Sequence, residues 1–195
     1  MHNFLLSRGS IFLGLLLGLI IPSLSFAEGK KIVSADNSGR PAVLLKNTEY
    51  FPALTAAIDE AKSEIIMSFF LVKAGAHKSS YPDRVLAHLV RAAQRGVKVI
   101  LILENSGGHD EKLDAQNRKT KQLLQDKGVE IYFDSPRKTT HTKIIVVDQK
   151  ILLLGSHNLT QAALKYNNEI SILINQPELA REARAFILKI AKEEK

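Results

Sequence analysis

Two stretches of this chain repeat one plan: an amphipathic helix, a glycine, then a strand made almost wholly of apolar residues. The first helix starts at Pro82-Asp83, carries Val85, Leu86, Leu89, Val90 and Ala93 on one face, and stops at Gly96; residues 97–103 then read VKVILIL. The second spans 112–127 with Leu123 and Leu124 inward, and Gly128 precedes a strand at 129–133. A strand apolar at nearly every position has to be covered on both sides. The expected fold class is therefore α/β, a mixed, mostly parallel sheet flanked by helices on both faces. Residues 64–72 (EIIMSFFLV) add a buried strand, 52–62 has helical spacing through Leu54, Ile58 and Ala61, and 177–192 closes the domain as a helix. At 195 residues, one domain with a single core is the expectation.

The first 27 residues are expected to stand apart from that fold. Arg8 is their only charged side chain, residues 11–21 are an unbroken apolar run, and Ser25 and Ala27 occupy the small-residue positions of a signal-peptide cleavage site. The run is short against the roughly 20 residues of a membrane span. A signal peptide cleaved after Ala27 and a periplasmic or secreted product are expected, with membrane contact only if the segment is retained. Residues 28–40 read as a flexible lead-in, and 41–195 as the folded domain. The chain has no Cys, which excludes disulfides, Cys-ligated metals and thiol catalysis. Its net charge of +7 suits a polyanion, either nucleic acid or an anionic membrane surface. No Trp and 6% aromatic residues argue against a stacking platform for single-stranded nucleic acid.

The chemistry concentrates in 140–170, THTKIIVVDQKILLLGSHNLTQAALKYNNEI. Residues 142–148 and 151–156 are strand-like, with Gln149-Lys150 as the expected two-residue turn of an antiparallel hairpin. That turn would set Asp148 opposite Ile151, Lys143 opposite Ser156 and His141 opposite Asn158. Alternation would then place all four polar side chains on one face. Asp148, seven residues from His141 and up to about 23 Å away along an extended strand, is expected to be a turn and strand-end residue. Lys143 offers a point charge to a phosphate, Ser156 and Asn158 offer neutral hydrogen bonds, and His141 can attack phosphorus or move a proton. No pair of nearby carboxylates accompanies them, so phosphodiester chemistry without metal or cofactor is favoured.

His141-x-Lys143-x4-Asp148, followed by Gly155-Ser156-x-Asn158, resembles the HKD motif of the phospholipase D superfamily. Glu169 sits where that family places a histidine-orienting acid. The resemblance implies a phosphohistidine on one His, with a second His protonating the leaving oxygen and then activating water. Only one such motif is present, since His77, His88 and His109 lack a Lys two places on. Short, single-motif secreted nucleases of the family imply a homodimer in which two copies of His141 share a site. The expected catalytic residues are thus His141, Lys143 and Glu169, with Lys143, Ser156 and Asn158 on the substrate phosphate and Asp148 and Gly155 structural. His157, inside the Gly-Ser-x-Asn stretch, is read as a neighbour and not a second nucleophile.

Plainer roles compete at several positions. Ser156 and Asn158 can cap a helix beginning near Leu159, and Thr160 can serve a helix N-terminus as readily as a phosphate. His109-Asp110-Glu111 has no second cluster to complete a metal shell. Arg137-Lys138 can guide a polyanion or simply face water. The leading function is a metal-independent endonuclease acting on DNA, with RNA as a second candidate. The alternative is a phospholipase D-type hydrolase of phospholipid head groups; a silent binding module ranks last.

Overall fold

The computed structural model describes residues 42–192. The expected leader and lead-in lie outside the described residues. Seven strands form one sheet: β1 (Ala42–Lys46), β2 (Glu64–Phe69), β3 (Lys98–Leu103), β4 (Val129–Phe133), β5 (Lys143–Val147), β6 (Ile151–Gly155) and β7 (Ile170–Asn175), in the order β1-β7-β6-β5-β2-β3-β4. Five helices connect or cover them: α1 (Tyr50–Glu60), α2 (Tyr81–Gln94), α3 (Glu111–Leu124), α4 (Gln161–Lys165) and α5 (Pro177–Lys192).

Side-chain alternation along the strands builds two apolar layers. Ile65, Met67 and Phe69 of β2, with Ile145 and Val147 of β5, face α1, α2 and α4 through Leu54, Ile58, Val85, Leu89 and Leu164. Ile66, Ile100, Ile102, Val146 and Leu152 point the other way, onto Ala180 and Ile187 of α5. Helices on both faces and a mixed sheet agree with the sequence reading. "Mostly parallel" does not. Only β2–β3 and β3–β4 are parallel; β1–β7, β7–β6, β6–β5 and β5–β2 are antiparallel. The helix–Gly–strand plan generates only the parallel half; in the other half β5 and β6 form a hairpin, β7 returns beside β6 after α4, and β1 closes the edge antiparallel to β7.

Gly96 follows the end of α2 with φ of +88°, as a helix stop requires; α3 instead ends at Leu124, short of the expected 127, and Gly128 (φ +77°) lies in the turn leading into β4. Ser80 caps α2 by accepting the Asp83 N–H at 3.3 Å. The β5–β6 hairpin departs from expectation by one residue. Val147 pairs with Ile151 and Ile144 with Leu154, so the loop holds three residues, 148–150. Asp148 and Gln149 both adopt left-handed backbone (φ +51° and +53°), and the Lys150 N–H closes on the Val147 carbonyl at 3.0 Å. Asp148 has left the ladder because its carboxylate is captured elsewhere: it accepts the N–H groups of Lys62 (2.8 Å), Ser63 (2.8 Å) and Glu64 (3.0 Å) and the Ser63 hydroxyl (2.8 Å). Lys143 is therefore not opposite Ser156, nor His141 opposite Asn158. A slip of one residue changes the facing side of every partner, and the site residues have to meet by another route.

Candidate active site

That route is the convergence of strand ends. The carboxyl end of β2, the start of β5 and the end of β6 lie side by side, where the β5–β6 ladder stops at Ile144–Leu154. Thr142 is held there twice, by its carbonyl accepting Phe70 N–H at 2.9 Å and by its hydroxyl against that of Ser68 at 2.6 Å. Those bonds fix the segment that carries His141 and Lys143. The Phe70 ring serves both: His141 meets it edge-on at 4.6 Å, and Lys143 Nζ lies 5.1 Å from its centroid.

Lys143 is 7% exposed and donates to the His141 carbonyl at 3.2 Å. Burial lowers its ammonium pKa, and the Glu169 carboxylate opposes that shift, so these two charges sense each other. His141 is exposed. Its pKa is lowered, first by desolvation and then by the Lys143 charge, which favours the neutral, nucleophilic imidazole. Among the described residues, the Glu169 carboxylate binds the Ser156 hydroxyl and Asn167 Nδ2 (3.0 Å), and not the imidazole.

Ser156 gives its hydroxyl proton to Glu169 while its oxygen accepts the Ile170 N–H at 3.1 Å. A phosphate contact by Ser156 would require that pair to open. Asn158 precedes Leu159, whose backbone runs beside Val72 through Leu159 N–H to Leu71 O (3.1 Å) and Lys73 N–H to Leu159 O (2.9 Å). The buried carbonyl oxygen of Asn158 has no partner among the described residues. Neither Ser156 nor Asn158 caps α4; Thr160 does, accepting the Ala163 N–H at 3.1 Å. Gly155 has a steric reason: a Cβ there would lie 2.2 Å from Ser171 Oγ and 2.4 Å from its Cα.

Asn47, Glu104 and Asp134 escaped the sequence reading, and so did the supporting role of His157. Asn47, with φ +51°, donates its N–H to the Glu169 carbonyl (2.9 Å) and accepts the Glu169 N–H on its side chain (2.8 Å). Its carbonyl accepts from His157 Nε2 at 3.0 Å, which leaves Nδ1 to accept from Ser171 Oγ at 2.7 Å. Fully buried and stacked on Tyr50 at 4.2 Å, His157 is a strut beneath the Glu169 loop. Glu104 and Asp134, both buried, hold the other approach: Glu104 accepts the Thr140 N–H, and Asp134 accepts the Asn105 N–H at 2.7 Å. Burial, then hydrogen bonding to Asp134, pushes Glu104 up to about 7. The second carboxylate oxygen of Asp134, Oδ2, is buried with no hydrogen-bond partner among the described residues. No single-sequence pattern marks any of these, because their partners are 30 or more residues away in most cases.

His109-Asp110-Glu111 finds another use, since Asp110 caps α3 by accepting the Leu113 N–H at 3.0 Å. Among the described residues, no three His, Cys, Asp or Glu side chains converge as metal ligands. No helix among them is long and apolar enough to cross a membrane.

An imidazole, a buried ammonium and a carboxylate at strand ends of a mixed α/β sheet are groups able to act on a phosphodiester. The family model described as "Cardiolipin synthase, PLD-like domain" matches residues 54–190. The chain belongs to the phospholipase D superfamily. It is 32% identical over 165 residues to cardiolipin synthase A of Buchnera aphidicola, covering 84% of this chain and 31% of that protein. It is 33% identical over 124 residues to a phospholipase D of Rickettsia bellii, covering 63% of this chain and 54% of that one. The chain thus spans about a third or less of the cardiolipin synthases, and about half of the phospholipases D, that it matches. Among solved structures, Nuc from Salmonella typhimurium, a phospholipase D family member, superposes with a TM-score of 0.64 at 26% identity, covering 78% of this chain and 94% of Nuc.

Proposed function

We propose that the chain is a metal-independent endonuclease that hydrolyses DNA, with RNA as a second substrate, through a phosphohistidine on His141. The observation that carries this reading is the single His141–Lys143–Glu169 set in a fold that covers 94% of Nuc. His141 attacks phosphorus, and the bond to the leaving oxygen breaks as the N–P bond forms. A second His141, from another copy of the chain, protonates that oxygen, then takes a proton from water as the water displaces the first histidine. Lys143 neutralises charge on the non-bridging oxygens and the Asn158 amide donates an N–H to them, and Glu169 orients an imidazole, either its own or the partner's. Exposed Leu44 and Ile170 support the pairing of copies: they share one face of β1 and β7, and Ile170 adjoins Glu169. Export to the periplasm or medium through the 1–27 leader belongs to the same reading.

Cleavage of plasmid DNA and of phosphatidylcholine vesicles, run in parallel with excess EDTA, tests it. The expected result is nicked plasmid and intact lipid. Lipid hydrolysis alone would establish the phospholipase reading, for which the cardiolipin synthase and phospholipase D relatives speak. EDTA inhibition reversed by Mg²⁺ would overturn the histidine mechanism. The shared centre is tested by a doubly tagged heterodimer of wild-type and His141→Ala chains. It is expected to be nearly inactive, whereas half activity means independent subunits.

A further inference from the structure

Beside His141 a recess opens between the 134–142 loop and the last turns of α5. Its walls carry Lys138, Thr139 and Thr140 on one side and Phe186 and Lys189 on the other. Phe186 leaves half its surface (50%) in water, an uncommon setting for a phenyl ring on a helix whose other face packs into the core. Lys138 and Lys189 are exposed, and neither forms an ion pair among the described residues. The one acid on the lining, Asp134, is 1% exposed and turned toward the Asn105 N–H.

We propose that this recess is a single-strand subsite, in which a nucleobase adjoining the scissile phosphate stacks on Phe186 while Lys138 and Lys189 bind the flanking phosphates. The proposal rests on the nuclease reading and adds to it a preference for unpaired strands. Cations on both walls, with hydroxyls between them, match a chain of phosphates spaced along a backbone. A lone aromatic between two ammonium groups suits a base, which has a π-face and sits a sugar's length from its phosphates. An acyl chain would need a continuous apolar wall, and here the lining is broken by Ser135, Thr139, Thr140 and Thr142. In a duplex the bases face each other, so none reaches Phe186 unless it leaves the stack. The composition argued against an aromatic platform, but one ring placed beside the reacting group suffices.

The test is equilibrium binding of a fluorescent 12-nucleotide single strand, the same sequence as a duplex, and phosphatidylglycerol vesicles. Full-length His141→Ala protein prevents turnover during the measurement. Adding Phe186→Ala should weaken single-strand binding about tenfold and duplex binding less than twofold, and Phe186→Tyr should restore it. Lys189→Ala should weaken both and lower the salt dependence by about one phosphate contact. Equal losses on single strand and duplex with Phe186→Ala, or no loss, would overturn the subsite. So would vesicle binding that depends on Phe186 without strand binding. A wild-type chain that cleaves no nucleic acid defeats the nuclease reading separately, since strand binding is measured without turnover.

Discussion

The two ends of the β5–β6 hairpin are built from one motif and have opposite characters. At the closed end the Asp148 carboxylate receives four hydrogen bonds and ties the turn to the 62–64 segment. At the open end the Lys143 ammonium is buried with one carbonyl acceptor, the Asn158 carbonyl oxygen has no partner among the described residues, and His141 stands exposed. Satisfied groups make a joint, while groups with hydrogen-bonding capacity left over make a site. Membership in one sequence motif therefore does not imply a shared role. In the proposed mechanism His141 and Lys143 face substrate, while Asp148 fixes the turn at the far end of the hairpin.

The sharpest way to break this contrast is to substitute both ends. His141→Ala should lower kcat by at least about 10³-fold and leave the urea midpoint unchanged, because the side chain is exposed. In the wild-type enzyme the acid limb of kcat/KM should fall below pH 6.5, the direction in which burial and Lys143 move this imidazole. A limb above that value would mean that another group limits the reaction.

Asp148→Asn should do the reverse, costing about 1–3 kcal/mol of stability with kcat within a few-fold at temperatures where the variant is folded. Burial alone would raise this carboxyl, but the N–H donors of Glu64, Ser63 and Lys62 and the Ser63 hydroxyl outweigh it and hold the pKa below 3.8. A carboxylate depressed in the folded state stabilises above its unfolded pKa of about 3.9 and stops doing so as pH falls through the folded value. The wild-type advantage over Asp148→Asn should thus be full at pH 7 and shrink toward pH 3. An inactive but well-folded Asp148→Asn protein would erase the distinction between the two ends.

The smallest effect is expected at Glu104, which steadies the open end through Thr140. Its pKa is raised, so the folded state holds the proton more tightly, and wild-type stability should decline between pH 4.5 and about 7. Glu104→Gln keeps an acceptor for Thr140 and a permanent donor for Asp134. It should flatten that decline by on the order of 1 kcal/mol, measured as the difference in urea midpoint between pH 5 and pH 8. An unchanged slope would show that Glu104 and Asp134 share no proton.

Periodicity made the core strands and helices legible, because 3.6- and 2-residue repeats are local. The 129–133 strand and the 177–192 helix agree with the expected bounds to the residue. The motif residues at 141, 143, 155, 156, 158 and 169 were legible too, since their spacing along the chain is itself the signal. β1 and β7 were not read: neither follows a helix–Gly pattern, and each is defined by its partner, Leu44 against Ile172 for example.

By itself, then, the sequence determined which residues match the family's motif and that two-sided helix cover was required. Tertiary structure decided the register, the mostly antiparallel sheet and the frame around Glu169. Register passed out of local control when the Lys62–Glu64 amides captured Asp148 across 84 or more positions of chain. The Glu169 loop takes its place from Asn47, 122 positions away, and from His157, whose burial and stacking on Tyr50 no spacing reveals. Hydrogen bonds of that span depend on which strand ends the folded sheet brings together, and no local repeat in the chain encodes that.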